Sequence, residues 1–179
     1  LKSMCENGWK KLVDGKVPKE KHDIYRSRLF DKELPIITGA GLSSYFLIVQ
    51  DYIRHAVEDL KAMVGRGRGS SAGCLVSYLT GITRVDPIKA GLIFERFYNA
   101  GRNSPGHIAF PDIDTDFPIS MREEVIQYLR NTYGEDKVAQ MATFARMQGR
   151  GAIKDVLRAR GSVSFEEMNL ITENIPDEA

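Results

Sequence analysis

Apolar residues in the first third of the chain recur at helical spacing. Residues 1–37 predict two helical stretches separated by the Gly15–Pro18 break, and Tyr25, Leu29, Phe30 and Leu34 share one side of the second. Pro35 is expected to kink or end that stretch. After the connector Thr38-Gly39-Ala40-Gly41, the set Tyr45, Val49, Tyr52, Ile53, Ala56, Val57 and Leu60 predicts an amphipathic helix over about 44–61, its stripe facing a sheet. Ala62-Met63-Val64 is a short apolar run before a glycine-rich loop, and a helix is expected over 71–79. Asp86-Pro87 opens a further helix to about Tyr98, with Asp as cap and Pro in the first turn, followed by a polar loop at 100–106.

The pattern then switches to strict alternation over 108–117, which predicts a strand. Ser120 and Glu123 form a predicted capping box for a helix ending at Gly134, and Val138–Phe144 predicts a second strand. A basic helix over 146–159 and a last helix opened by Ser164 and Glu167 complete the series. Alternating helices and short strands predict an α+β or α/β domain.

Within the alternating segment, Asp112, Asp114 and Asp116 stand at every second position. In an extended chain they share one face, about 6.6 Å apart along the backbone. Ionised carboxylates out of water are strongly unfavourable without partners. A divalent metal satisfies such a row, since Mg²⁺ takes a few carboxylates plus water and phosphate oxygens. A solvated acidic edge that discourages sheet pairing is the alternative.

Bulk properties narrow the classes. The chain has 179 residues, 42% hydrophobic and 27% charged, and its formal net charge is +1, so any nucleic-acid surface is a local patch. Cys5 and Cys74 form no Cys-x-x-Cys pair and there are three histidines, a pattern that argues against a zinc site or disulfide framework and suits a reducing cytoplasm. No apolar run reaches the length of a membrane span, and no signal peptide opens the chain. An opening at Leu1 in helix-like sequence reads as one piece of a larger protein.

Three basic features add candidate chemistry. The loop Val64-Gly65-Arg66-Gly67-Arg68-Gly69-Ser70-Ser71 combines glycines, which admit an anion close to backbone N–H groups, with two guanidinium groups. It is neither a Walker A loop nor a dinucleotide fingerprint. Arg96 lies among Phe94, Phe97 and Tyr98, either as an ion-pair partner or as a phosphate contact. Arg146, Arg150, Lys154 and Arg158 recur every four residues and would form a slanted stripe about 18 Å long in a helix. Such a stripe is either a solvated face or a track for nucleic-acid phosphates.

In order along the chain, Tyr45-Phe46-Leu47-Ile48-Val49, Gly67-Arg68-Gly69-Ser70, Gly81-Ile82-Thr83 with Asp86-Pro87, Phe94-Glu95-Arg96-Phe97, Pro111-Asp112-Ile113-Asp114 with Asp116-Phe117, Thr143-Phe144 and Ala152-Ile153-Lys154-Asp155-Val156 resemble the bacterial C-family replicative DNA polymerases. The resemblance covers most of the chain. It implies a polymerase β-like nucleotidyltransferase palm over 1–143, with a small mixed sheet flanked by helices, and the start of a helical thumb over 144–179. It implies that Asp112 and Asp114 are two of three catalytic carboxylates holding two Mg²⁺ ions, with Asp116 outside that triad. Arg68, Gly69, Ser70 and Arg96 are implied contacts of the incoming triphosphate.

The implied partners are primer-template DNA, dNTP and the rest of the polymerase chain, with a sliding clamp and other replisome subunits reached through other regions, and no membrane. The family's third aspartate is expected further downstream than the 67 residues (179 − 112) that follow Asp112. The isolated chain is therefore expected to be catalytically incomplete. Arg66 replaces a proline usual in the loop, and the connector before Pro111, containing Ser104-Pro105-Gly106-His107, is longer than usual. Two other readings stay open. One is a non-catalytic nucleotide- or nucleic-acid-binding module. The other is a stand-alone nucleotidyltransferase using Asp136 or Asp155 as third carboxylate.

Overall fold

The computed structural model describes residues 1–99, 101, 109–144, 146–161 and 163–175. Its helices are α1 (Lys2–Leu12), α2 (His22–Arg26), α3 (Leu34–Gly39), α4 (Ser43–Arg54), α5 (Leu75–Leu79), α6 (Arg122–Tyr133), α7 (Gly149–Arg160) and α8 (Phe165–Thr172). A π turn over Ser27–Glu33 joins α2 to α3, and a second, His55–Asp59, extends α4. The chain divides into two compact units, Leu1–Val138 and Ala139–Ala179. Among the described residues no single helix is long and apolar enough to cross a membrane. The connector residues Ser104, Pro105, Gly106 and His107 lie outside the described residues.

No β-strand forms among the described residues, which overturns the expected α+β fold with its mixed sheet. The segment around Ala62–Val64 alternates in burial as a strand would, with Ala62 and Val64 buried and Met63 exposed. Only single backbone bonds connect such segments: Gly65 N–H to the Asp116 carbonyl (3.1 Å), and Arg84 N–H to the Arg66 carbonyl (2.8 Å). A sheet needs a repeating ladder of such bonds. Residues 138–144 likewise form no strand, and Met141 and Phe144 stand exposed. The α4 stripe consequently packs on helices and turns; Phe46, fully buried, meets Phe97 edge-on at 6.0 Å between ring centroids.

Other local differences have identifiable causes. Pro35 does not end its helix, because it stands in the first turn of α3, directly after the turn over Ser27–Glu33, where a missing N–H is tolerated. Asp86 caps a turn through Ile88 N–H (3.0 Å) and Lys89 N–H (3.1 Å). Gly91, at φ +66°, stops that turn, so the helix expected as far as Tyr98 is replaced by a short 3-10 turn over Phe94–Arg96. Another 3-10 turn, Ile119–Met121, takes up Ser120, and α6 begins without the expected capping box. The box at Ser164 and Glu167 is complete.

In the first unit α1 contributes Cys5 and Trp9 to a core shared with Leu29, Ile37, Phe46, Leu75 and Phe94. Full burial of each large apolar side chain contributes about 1.5–3 kcal/mol. One ion pair is anchored in this core, with Glu33 inside it and Arg28 partly exposed. Glu33 is fully buried; one of its oxygens accepts from Arg28 Nε (2.8 Å) and the other from Val76 N–H (3.0 Å). Arg28 also donates to the carbonyls of Leu92 (2.7 Å) and Gly73 (2.5 Å). Burial pushes the Glu33 carboxyl upward in pKa, against the opposing pull of Arg28, Val76 N–H and the Cys74 thiol.

Asp51 docks α6 on α4 by accepting from both Tyr128 and Tyr133 hydroxyls, each at 2.9 Å. Burial raises its pKa, but those bonds and Arg54 outweigh burial and hold the carboxyl below its ordinary value.

Helix α1 crosses α5 at Gly8, where an added Cβ would lie 1.9 Å from the Leu79 carbonyl oxygen. At Gly15 an added Cβ meets nothing within 4 Å. Gly8→Ala is expected to lower unfolding stability by about 1–3 kcal/mol through overpacking. Gly15→Ala should stay within about 0.5 kcal/mol of the parent. Urea denaturation of both variants checks this, and equal midpoints would refute the close crossing.

Candidate functional site

Tyr45 and Tyr52 lie two turns apart on one face of α4 and fix the acidic segment. Tyr45 donates to the Pro111 carbonyl (2.7 Å), and the Tyr52 hydroxyl lies 3.4 Å from Thr115 Oγ1. Their rings pack against Phe110 and Phe117. Pro111 is buried and Ile113, Thr115 and Phe117 are half-buried, while Asp112, Asp114 and Asp116 are exposed. Side-chain anchoring thus maintains the alternation without a ladder. Burial above all, then Tyr52 and the charges of Asp112 and Asp114, pushes the Tyr45 hydroxyl up to about 12, so it remains a donor.

The glycine-rich loop presses against this row. Gly69 has φ +64°, and a Cβ there would lie 2.8 Å from Asp114 Oδ2. A Cβ at Gly65 would lie 3.1 Å from Asp116 Oδ2. Arg68 Nε stands 3.6 Å from Asp114 Oδ2, and Arg68 Nη1 stands 3.5 Å from Asp116 Oδ1. All three side chains are about half exposed or more, so each contact contributes at most about 1 kcal/mol and is readily displaced.

On the other side of Gly69 the loop opens into a cavity of about 550 Å³, lined by Gly69, Ser70, Gly73, Leu92, Ile93 and Arg96. The predicted contacts Gly69, Ser70 and Arg96 therefore meet in one place, while Arg68 turns toward the carboxylates. Buried Phe94 and Phe97 flank Arg96 and leave its guanidinium outward. Glycine backbone, a serine hydroxyl and a guanidinium form a donor set suited to an anion, and the volume lies within the usual range for small-molecule sites.

Asp112 and Asp114 supply hard oxygen donors on one exposed face. Among the described residues no three His, Cys, Asp or Glu groups converge to hold a metal unaided. Two carboxylates with the remaining positions left to water and phosphate suit Mg²⁺, which rarely sits in an all-protein cage. Of the other candidate carboxylates, Asp136 is exposed and Asp155 is paired with Arg158 at 2.8 Å.

The basic residues lie in the second unit. Helix α7 begins at Gly149, so Arg146 precedes it and the expected four-residue helical stripe is not continuous. Arg146, Arg150 and Lys154 still line one concavity of about 520 Å³. Lys154 donates to Asn169 (2.7 Å), and Arg158 bonds Asp155 within α7.

Sequence reasoning missed Arg28 and Glu33, which brace the cavity walls, and read Tyr45 and Tyr52 only as apolar positions. Two tyrosines seven apart, each with a polar tip, were the available signal for the latter pair.

The family model for the bacterial DNA polymerase III alpha NTPase domain matches residues 1–179. The DNA polymerase III subunit alpha of Helicobacter pylori is 45% identical over 161 residues, 90% of this chain and 13% of that protein. That of Thermus aquaticus is 52% identical over 129 residues, 72% of this chain and 10% of that protein. The Staphylococcus aureus subunit is 48% identical over 149 residues, 83% of this chain and 13% of that protein. The chain thus matches only 10–13% of the length of these relatives.

Gly69 and Gly91 stand at φ +64° and +66°, and an added Cβ at Gly69 meets only the exposed, movable end of Asp114. Gly69→Ala and Gly91→Ala are each expected to destabilise by about 1–2 kcal/mol from the left-handed backbone. Urea denaturation checks this, and parental midpoints in both variants would refute the left-handed turns.

Proposed function

The chain belongs to the bacterial DNA polymerase III α family, and from that premise we propose that it forms part of the nucleotide-addition site of a DNA-directed DNA polymerase. One observation carries the reading: Gly69, Ser70 and Arg96 line a single cavity, and Gly69 lies so near the acidic row that an added Cβ would stand 2.8 Å from Asp114 Oδ2. A triphosphate held in the cavity would have its reacting end beside the acidic row.

In this reading the loop backbone, the Ser70 hydroxyl and Arg96 bind the triphosphate of an incoming dNTP. They orient it, so that much of the acceleration comes from positioning and fixed charge. Arg68, loosely held by Asp114 and Asp116 and directly preceding Gly69, is free to leave the carboxylates for a bound phosphate. Asp112 and Asp114 would hold Mg²⁺. Bound there, the metal supplies Lewis-acid activation of the primer 3′-hydroxyl and neutralises charge on the departing pyrophosphate. Tyr45 keeps the two carboxylates aligned through the Pro111 carbonyl. The proposed partners are primer-template DNA and the remainder of the polymerase chain.

The lack of a converging third carboxylate among the described residues favours a second reading, a nucleotide-binding module without turnover. Titration of the chain with dATP and Mg²⁺ is expected to show binding that Asp114→Ala weakens by about tenfold or more. In the full-length subunit carrying this segment, Asp112→Ala and Asp114→Ala should each abolish primer extension. Variants that extend primers as well as the parent would remove the metal role, and dATP binding with no parental extension would favour the module.

The concavity around Arg146, Arg150 and Lys154 is proposed to contact duplex phosphates. Arg150→Ala should lower duplex affinity and reduce the slope of log affinity against log salt by about 1. An unchanged slope would return these residues to a solvated face.

A further inference from the structure

Arg28 and Glu33 lie outside the cavity, yet their hydrogen bonds end on its walls. In an α-helix two residues five apart point about 140° from one another around the axis. The π turn over Ser27–Glu33, with its i→i+5 bonding, brings them together, and Arg28 Nε meets Glu33 Oε1 at 2.8 Å. This geometry directs the other guanidinium nitrogens at two carbonyls. Nη1 donates to Leu92 (2.7 Å), and Nη2 donates to Gly73 (2.5 Å). Gly73 and Leu92 both line the cavity.

Glu33 completes the brace from the opposite direction. Its second oxygen accepts from Val76 N–H (3.0 Å) and from the Cys74 thiol (3.4 Å), fixing the residues that follow the glycine-rich loop. The walls approach closely: a Cβ at Gly73 would lie 2.9 Å from the Ile93 carbonyl oxygen. One ion pair, its carboxylate fully buried, therefore joins the Gly69–Gly73 turn to the strip Leu92–Arg96. Ser70 and Arg96 stand on these two joined segments and line the same cavity.

We propose that Arg28, oriented by Glu33, is the positioning residue that holds the triphosphate cavity at its working width, a role that rests on the nucleotide-site reading above. A guanidinium is needed because three bonds diverge from one planar group. A lysine at position 28 has one nitrogen and cannot span Glu33, Leu92 and Gly73 together. The effect should fall on the phosphate end of a ligand, since the brace touches no other part of the site.

The test measures dATP and deoxyadenosine binding, with Mg²⁺ present, to the parent chain and to Arg28→Lys, with circular dichroism confirming the folded state. Arg28→Lys is expected to lower dATP affinity by about tenfold and to leave deoxyadenosine affinity unchanged. A folded Arg28→Lys that binds dATP as the parent does overturns the proposal, as does an equal loss for both ligands. Should Arg28→Lys not fold, Gly73→Ala tests the same width at the Gly73–Ile93 approach and leaves the Arg28–Glu33 bond in place. Its Cβ must displace the Ile93 backbone, and parental dATP affinity in that variant also overturns the proposal. A parent chain that binds no dATP, with Arg96→Ala indistinguishable from it, would instead refute the nucleotide-site reading itself.

Discussion

A partly buried guanidinium must find acceptors, and this requirement at Arg28, beside the fully buried Glu33, organises the first unit. Charges out of water are tolerated only when paired and hydrogen-bonded. Arg28 satisfies the condition with one carboxylate and two main-chain carbonyls drawn from chain segments far apart in sequence. Glu33 meets it with that guanidinium, an amide N–H and a thiol. Between them the pair ties the second helical stretch, the turn after the glycine-rich loop and the strip before Arg96 into one body. Apolar packing alone is non-directional and would not fix the register of two irregular segments.

The acidic row shows a related economy of means. An extended segment normally gains its order from a neighbouring strand. Here two tyrosines from α4 do that work, one through a carbonyl and one beside a threonine hydroxyl, while their rings cover apolar neighbours. The outward carboxylates are then left to the loop arginine. Because these charges lie near the surface, their pairing is exchangeable, whereas the tyrosine contacts beneath them are part of the core.

Much of the site was legible in the sequence. The alternation of Asp112, Asp114 and Asp116 is local information, because each step of an extended chain reverses the side-chain direction. The helical stripe of α4, the end of α6 at Gly134 and the Ser164 cap are likewise written in spacing and in residue type. The sheet was not legible in the same way. Alternation reports a half-buried extended segment, and a ladder depends on partners that no single window contains. The π turn was hidden for a similar reason. Arg28 and Glu33 are five apart, a spacing that ordinary helix geometry treats as unrelated, so the brace emerges only once the backbone widens.

The long reach of these contacts shapes how the unit must fold. Helical proteins usually assemble from near neighbours and do so quickly. In this unit the decisive bonds join residues 64 positions apart at Arg28 and Leu92, 66 at Tyr45 and Pro111, and 82 at Asp51 and Tyr133. Each closes a loop whose entropic cost precedes any gain from the contact. Individual helices can form as the chain emerges from the ribosome, but the Arg28 brace has no second wall until Leu92 has been made. The acidic row has no neighbours until Pro111 arrives. The site therefore cannot close before the chain has reached Pro111, and chain closure more than helix propensity is expected to set its folding speed.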